Sequence, residues 1–243
     1  MVVGKRISKK TIEYKLIEFM ENKIKITGII VCVYFSDYLE ITLPFSKAIL
    51  DDLYIVTTND DKKTHELCKK TNTKCLSIPR TTPDFLKGVY INHAFDNIPH
   101  SDWFLIFDVD IILPHKNMFD VSSIEEDSRC LYGAFCTYCN NYQEWIDYKD
   151  NGTLYNWKTV TRSSHVGMGA FQLFHTNHFN KKSFRYPPYT TTRIRDQRLK
   201  GCDFFFAHQF KRRECVKKLP FNVIHLNINK SCNKQNKKNE NKI

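Results

Sequence analysis

The sequence predicts an α/β fold with a largely parallel sheet. Short apolar runs rich in β-branched and aromatic residues alternate with helical patterns through the first half of the chain, and the connections between them are short. This alternation is typical of parallel strands joined by right-handed helical crossovers. The chain has 243 residues and is 42% hydrophobic, so we expect a sizeable core.

The predicted elements follow from the spacing of the apolar residues. Consecutive apolar residues indicate buried strands, and spacings of three and four indicate helices. In the first half, the predicted strands are 27–35, 53–58, 75–78 and 103–107, and the predicted helices are 10–23, 38–50, 62–70 and 88–95. In the second half, the predicted strands are 130–136, 166–175 and 221–226, with a partly helical segment at 193–210 and a long surface loop or lid at 140–158.

Two carboxylates, Asp108 and Asp110, come directly after the fourth predicted strand. Aspartate is rarely buried without a partner, and hard divalent cations bind carboxylate oxygens, so the pair predicts a cation site. Polar residues also follow the first predicted strand, at Asp37, and the second, at Asn59 and Asp60. Because ligands of parallel α/β sheets bind at the carboxyl ends of the strands, the three clusters indicate one common site.

Several classes of protein are disfavoured by the sequence. It contains neither the GxGxxG fingerprint of dinucleotide-binding folds nor a phosphate-binding GxxxxGK[ST] loop. It has no apolar stretch long enough to span a membrane, and its first residues lack the apolar region of a signal peptide. The nine cysteines are odd in number and scattered, which favours free thiols in a reducing compartment and hence a cytoplasmic location. Cys136 and Cys139 form a lone CxxC pair, which favours core or edge thiols over a metal or redox role.

The positive charge is concentrated at the two ends of the chain. The formal charge is +4 over residues 1–26, −1 over 27–210 and +8 over 211–243. Basic ends can hold a membrane surface or a polyanion weakly, although solvated tails are the simpler interpretation. A near-neutral body disfavours a folded surface for specific nucleic-acid binding.

The order of four motifs resembles a known family. The motifs are, in order, Phe107-Asp108-Val109-Asp110, Gly169-Ala-Phe-Gln-Leu-Phe174, Gly201-Cys-Asp203-Phe204 and Val223-Ile-His225-Leu226. Over residues 26–228, the chain resembles glycosyltransferases of the GT-A fold and is similar to the family-2-like enzymes that use nucleotide sugars.

The resemblance implies a division of the chain. Residues 26–114 would form a Rossmann-like nucleotide-binding half with a mainly parallel sheet, and residues 115–228 a smaller, mixed acceptor-binding half. A basic N-terminal helical extension, 1–25, and a disordered basic tail, 229–243, would flank this domain. The implied reaction is metal-dependent transfer of a sugar from a UDP- or GDP-linked donor to a hydroxyl acceptor (a glycan, protein or lipid), with inversion.

The resemblance also implies roles for individual residues. The cation, Mn²⁺ or Mg²⁺, would be bound by Asp108, Asp110 and His225, and the general base would be Asp203. The nucleotide sugar would contact Phe35, Asp37, Asn59, Asp60, Lys87, Asn92, Asp108 and Val109. The acceptor would contact Gly169 and Gln172.

Three alternatives stay open at this stage. Asp203 is also placed to cap its own helix, and Asp196 is a rival candidate for the base. A sugar nucleotidyltransferase on a related fold would carry a glycine-rich, arginine-containing loop after the first strand, whereas this chain has Phe-Ser-Asp-Tyr-Leu at 35–39. A catalytically inactive, glycosyltransferase-like binding domain would share the same sequence pattern.

Overall fold

The structure is a computed structural model that describes residues 25–80, 86–99, 101–119, 121, 124, 130–151, 156–160, 169–176, 186, 202–211 and 216–226. Several sequence predictions lie outside these residues: the helix at 10–23, nearly all of the N-terminal extension, the candidate base Asp196 and the C-terminal tail at 229–243.

The described residues contain nine strands and five α-helices. The strands are β1 Ile26–Val31, β2 Asp52–Thr58, β3 Lys74–Ile78, β4 Trp103–Asp108, β5 Ile111–Ile112, β6 Leu131–Cys139, β7 Lys158–Val160, β8 Phe171–His175 and β9 Val216–Leu226. The helices are α1 Ser36–Ile49, α2 Lys62–Lys70, α3 Lys87–Asn97, α4 Tyr142–Asn151 and α5 Cys202–Lys211, and a short 3₁₀ turn spans Lys116–Met118.

All nine strands join one sheet in the order β3-β2-β1-β4-β8-β6-β9-β5, with β7 paired to β6. The first four strands in this order are parallel to one another. Antiparallel pairing begins where β4 meets β8, and the remaining strands are mixed in direction. The predicted parallel first part of the sheet is therefore confirmed.

The core lies on both faces of the sheet. All six residues of β1 are buried. Because successive side chains of a strand point to opposite faces, Ile30 packs with Leu43 of α1 on one face, whereas Ile29 packs with Ile91 of α3 on the other. Burial on both faces explains why the central strands are continuous apolar runs in the sequence.

The prediction of a loop or lid at 140–158 is wrong, because α4 occupies most of its first half. The Asn141 side chain accepts a hydrogen bond from the Glu144 backbone N–H at 2.9 Å, and the Asn141 amide donates to the Glu144 carboxylate at 2.9 Å. This exchange starts the helix as a capping box does. Trp145 is only 2% exposed and packs edge-on against Phe45, so its ring is part of the core.

No helix in the described part of the chain is long and apolar enough to cross a membrane. The seven cysteines that fall within the described ranges are all free thiols, including both members of the CxxC pair.

Candidate active site

The Asp-Val-Asp triplet lies where the pairing of the sheet changes. Asp108 ends β4, and its backbone N–H donates to the Ala170 carbonyl before β8 at 3.3 Å. The Val109 carbonyl accepts from the Thr42 hydroxyl of α1 at 2.9 Å. The Asp110 carbonyl accepts from the Leu226 N–H of β9 at 2.8 Å. Three separate elements thus hold the backbone of the triplet in place.

Lys87, the first residue of α3, joins the two halves of the candidate site. Its side chain is only 8% exposed, and its ammonium lies 2.5 Å from Asp108 Oδ1 and 2.8 Å from Asp203 Oδ1. The ammonium also donates to the Gly169 carbonyl at 3.3 Å. The buried Lys87 ammonium therefore brings together residues from α3, β4, α5 and the start of the β8 segment.

The positive charge of Lys87 offsets the negative charges of the Asp108 and Asp203 carboxylates. Burial alone would lower the pKa of Lys87, but the carboxylates of Asp108 and then Asp203 outweigh that effect and raise it. Burial raises the pKa of Asp108, although the Lys87 ammonium opposes the change. Burial also acts to raise the pKa of Asp203, yet Lys87 and the Tyr186 hydroxyl outweigh it and hold this pKa below its usual value. Asp203 is accordingly the carboxylate that stays ionised most readily.

Tyr186 holds the Asp203 side chain in position. Its fully buried hydroxyl contacts Asp203 Oδ1 and lies 2.5 Å from Gln172 Oε1, and the Gln172 amide donates to the Asp203 carbonyl at 3.2 Å. The Asn92 side chain exchanges two hydrogen bonds with the Tyr186 backbone, at 2.8 and 2.9 Å. Tyr186 could not be predicted as a site residue, because the residues around it have no periodic pattern.

Two residues that the resemblance assigns to ligand contacts have hydrogen-bond partners within the chain. Gln172, the predicted acceptor contact, is fully buried, and its amide donates to the Asp203 carbonyl. Asn92, the predicted nucleotide contact, is half-buried, and its amide exchanges hydrogen bonds with the Tyr186 backbone. Both side chains thus support Tyr186 and Asp203, and their contacts with a ligand stay predictions.

Asp110 and His225 form a second, half-buried pair beside the cluster. His225 Nε2 lies 3.7 Å from Asp110 Oδ2, and the His225 and Tyr138 rings are in tilted contact, with ring centroids 4.8 Å apart. Burial raises the pKa of Asp110, and His225 opposes the change. Asp110 Oδ1 and His225 Nδ1 are buried atoms with no hydrogen-bond partner among the residues that the structure describes. Such orphaned polar atoms are costly, and they fit a pair that meets a further ligand.

The carboxylate and the imidazole of this pair suit a divalent cation whose coordination is completed by other ligands. A carboxylate oxygen and an imidazole nitrogen both bind Mn²⁺-type cations. Within the described ranges, no group of three or more His, Cys, Asp or Glu side chains is arranged to hold a metal ion by itself. Asp110 and His225 therefore fit a cation whose remaining ligands come from a bound anion and water, as is common for sites that share a metal with substrate phosphates.

The ends of β1 and β2 form the third part of the site. Tyr34 follows β1 with a positive φ of 61°, and its backbone N–H donates to Asp61 Oδ2 at 2.7 Å. Its ring is 40% exposed, its hydroxyl contacts Asp60, and the Arg80 guanidinium lies 5.6 Å from the ring centroid. Sequence reasoning found Asp60 but missed Tyr34 and Arg80. A bulky residue at positive φ after a central strand is apparent only in the structure.

The remaining predicted nucleotide contacts lie around this edge. The Asn59 backbone N–H pairs with the Ile78 carbonyl at 3.0 Å, which places Asn59 at the end of the sheet beside Asp60. Asp37 is in the first turn of α1 and lines a surface groove between α1 and α2. Phe35 and Val109 are partly buried and pack against the core, so the structure gives their side chains a packing role.

The arrangement of the sheet is that of the GT-A fold, as comparison with solved structures shows. S. aureus TarS (residues 1–349) has a TM-score of 0.55 at 11% sequence identity, and the match covers 84% of this chain and 60% of that one. The mannosyltransferase PcManGT from Pyrobaculum calidifontis, solved with GDP-Man and Mn²⁺, has a TM-score of 0.53 at 10% identity, covering 88% and 63%.

A third similar structure is glucosyl-3-phosphoglycerate synthase from Mycobacterium tuberculosis, solved with Mn²⁺, UDP-glucose and phosphoglyceric acid. Its TM-score is 0.52 at 10% identity, and the match covers 91% of this chain and 78% of that one. The chain thus spans less than two thirds of the length of TarS and PcManGT. No family model and no curated protein matches the sequence. The likeness confirms the predicted fold class.

Proposed function

We propose that this chain is a metal-dependent glycosyltransferase that moves a sugar from a UDP- or GDP-linked donor to a hydroxyl acceptor with inversion. The observation that carries the proposal is the convergence, at the carboxyl end of β4, of the Lys87-bridged carboxylates and the Asp110–His225 pair. Support comes from the fold, since two structures with the same fold were solved with Mn²⁺ and a nucleotide sugar.

Asp110 and His225 are the residues that would hold the cation, Mn²⁺ or Mg²⁺. Asp108 lies on the other side of Val109 and would complete the triplet's contacts with the donor. When bound, a divalent cation supplies positive charge that offsets the charge of a departing nucleoside diphosphate. Lys87 holds Asp108 in position through the 2.5 Å contact and adds a fixed ammonium to the same region.

Asp203 is the proposed general base. The hydrogen bonds that the structure describes for its carboxylate go to Oδ1, from Lys87 and Tyr186. Oδ2 faces Gly169, where a Cβ would lie 3.3 Å away, so the absence of a side chain at Gly169 leaves room beside this oxygen. Oδ2 would take the proton of the acceptor hydroxyl as that oxygen attacks the anomeric carbon.

The edge formed by Tyr34, Asn59 and Asp60 is the proposed site for the base and ribose of the donor. An exposed aromatic ring offers a surface on which a nucleobase can stack, and the Asp60 carboxylate can accept from hydroxyl or imino groups.

The free thiols of the described cysteines support our proposal of a reducing compartment, such as the cytoplasm.

The cation site is tested with Asp110→Asn and with Asp102→Asn as a matched control. Asp102 is an exposed carboxylate next to the opposite end of the same strand, β4. We expect Mn²⁺ binding in the presence of UDP or GDP, measured by electron paramagnetic resonance, to be lost in Asp110→Asn and retained in Asp102→Asn. Mn²⁺-dependent hydrolysis of a panel of UDP- and GDP-sugars should change in parallel. Unchanged Mn²⁺ binding in Asp110→Asn would contradict the assignment.

The base is tested separately with Asp203→Asn. This change keeps the shape of the side chain but removes its ability to accept the acceptor's proton. We expect kcat to fall by about 10²-fold or more, while Mn²⁺ and donor binding are retained. A normal kcat would show that another group acts as the base.

A further inference from the structure

A cluster of two thiols and one imidazole lies between α2 and β3, outside the candidate active site. Cys68 is in the last turns of α2 and is 2% exposed, whereas Cys75 is on β3 and is half-buried. Both side chains belong to the same apolar cluster, and the N–H of Thr73, two residues before Cys75, donates to the Cys68 carbonyl at 2.8 Å, so the turn between α2 and β3 brings the two cysteines together. The Cys75 sulfur also lies 3.7 Å from Nδ1 of His65.

The position of the His65 proton follows from its second contact. His65 Nε2 lies 3.1 Å from the Thr58 carbonyl, which can only accept a hydrogen bond. Nε2 must therefore carry a proton. In the neutral ring Nδ1 is then an acceptor, and its lone pair faces the Cys75 thiol. This is the arrangement in which an imidazole takes a proton from a cysteine and activates it as a nucleophile.

The electrostatic surroundings distinguish the two thiols. The neighbouring Cys68 thiol and His65 lower the pKa of Cys75. The neighbouring Cys75 thiol and burial raise the pKa of Cys68. Cys75, which is the more exposed of the two and faces His65, is thus the thiol that ionises more readily.

We propose that Cys75 is a reactive thiol that peroxide oxidises, and that Cys68 then resolves it as a Cys68–Cys75 disulfide. In the first step, His65 takes the proton of Cys75, the thiolate attacks one oxygen of hydrogen peroxide and the O–O bond breaks; a sulfenic acid forms, and the departing hydroxide takes the proton back from His65 and leaves as water. In the second step, the Cys68 sulfur attacks the sulfenic sulfur, the S–O bond breaks, and the released hydroxide takes the Cys68 proton to form water. Two thiols are oxidised and one peroxide is reduced.

This site is independent of the proposed glycosyl transfer, because none of its three residues takes part in the candidate active site. The bond would tie α2 to β3, and β3 is the terminal strand at one end of the described sheet. His65 also contacts the carbonyl at the end of β2, next to Asn59, so oxidation would occur close to the proposed nucleotide edge.

The reactivity of Cys75 is tested by alkylation of the full, reduced chain with iodoacetamide at neutral pH, followed by peptide mass spectrometry. Cys136 is the internal control, because it is also half-buried but burial raises its pKa to about 12. We expect Cys75 to react at least about tenfold faster than Cys136. His65→Gln should remove most of that advantage. Equal rates for Cys75 and Cys136 in the wild-type chain would overturn the proposal.

Disulfide formation is tested by treating the same chain with hydrogen peroxide and measuring the intact mass under denaturing conditions. We expect the loss of two hydrogen atoms and a cross-linked peptide that contains Cys68 and Cys75. In Cys68→Ala, the reaction should stop at the sulfenic acid, seen as the gain of one oxygen and trapped by dimedone at Cys75. If Cys68→Ala fails to fold, the wild-type peptide map still decides the question. A peroxide-treated wild-type chain with both thiols intact would refute it.

Discussion

At the scale of single residues, the charge balance of the candidate site depends on Lys87. Its ammonium faces Asp108 and Asp203, and both carboxylates are largely enclosed by protein. Two such carboxylates cannot both stay ionised at low cost without a cation between them. The lysine therefore sets which carboxylate is charged before any ligand arrives.

Replacement of Lys87 by Met should lower the free energy of unfolding most near neutral pH and less as the pH falls. In the wild type, the pKa of Asp203 is lowered, so its stabilising contribution is present above the ordinary carboxyl pKa and is lost on acidification. Without Lys87, burial raises the pKa of both carboxylates, so ionised forms destabilise the fold. We expect a loss of about 3–5 kcal/mol near neutral pH that shrinks as the pH falls toward about 5.

Urea unfolding at several pH values measures this effect, with Lys74→Met as the control. Lys74 is an exposed lysine that pairs with Asp52 at the surface, and its loss should change stability little at any pH. A deficit in Lys87→Met that is constant across this pH range would contradict the proposed charge balance.

The residues that the sequence identified are those at the ends of apolar runs. Asp108, Asp110 and His225 each follow or end a buried strand, so their position could be predicted from the pattern. Tyr186 could not, because its role depends on a contact with Asn92, 94 residues earlier in the chain. Contacts between distant segments leave no trace in local spacing.

At the scale of elements, Asp61 connects three of them. It is 2% exposed, and its carboxylate accepts from the Thr64 N–H of α2 at 3.2 Å, the Thr57 hydroxyl of β2 at 3.0 Å and the Tyr34 N–H after β1 at 2.7 Å. The side chain thus caps α2 and also holds the backbone of Tyr34 at its positive φ.

Asp61→Ala should therefore destabilise the chain by about 2–3 kcal/mol, because a helix cap and two further buried hydrogen bonds are lost together. The neighbouring exposed carboxylate provides the control, and Asp60→Ala should cost less than about 1 kcal/mol. Denaturant unfolding compares the two variants. Equal losses of stability in the two variants would show that Asp61 does not hold α2, β2 and Tyr34 together.

Within the described residues, the strands and helices from β1 to β4 were predicted within a few residues because each has a clear apolar pattern. The start of β9 was missed because Lys217, Lys218 and Pro220 do not resemble a buried strand. In the described sheet, β5 pairs only with Ile224 and His225, so the first part of β9 has β6 on one side alone. Lysine and proline are tolerated on such an edge, and Lys218 lies over the Phe135 ring at 4.1 Å.

At the scale of the whole molecule, the candidate site lies where the parallel and mixed parts of the sheet meet. The parallel strands provide the Tyr34 edge and Asp108, whereas His225 is on β9 of the mixed part, Gly169 precedes β8 and Asp203 is on α5. A ligand that contacts both groups would bind only the folded chain, and such binding stabilises the folded state.

A donor and Mn²⁺ together should therefore raise the melting temperature of the wild-type chain. At a donor concentration of about 100 times Kd, the stabilisation is about 2.7 kcal/mol. We expect the shift to require both components and to be lost in His225→Gln. His115→Gln, a change at an exposed turn, should retain the full shift. A full shift in His225→Gln would exclude that histidine from the site.

The pairing of Asp110 with His225 also determines at which stage of folding the candidate site can form. The two residues are separated by nearly half of the chain, and β9 is the last strand in the described sheet. Contacts between such distant residues form late in folding, because a long loop must close before they form. During synthesis, the proposed metal pair cannot assemble until β9 has left the ribosome and docked beside β6. Capture of the cation would then coincide with completion of the fold, so a nascent or incompletely folded chain would lack the proposed cation site.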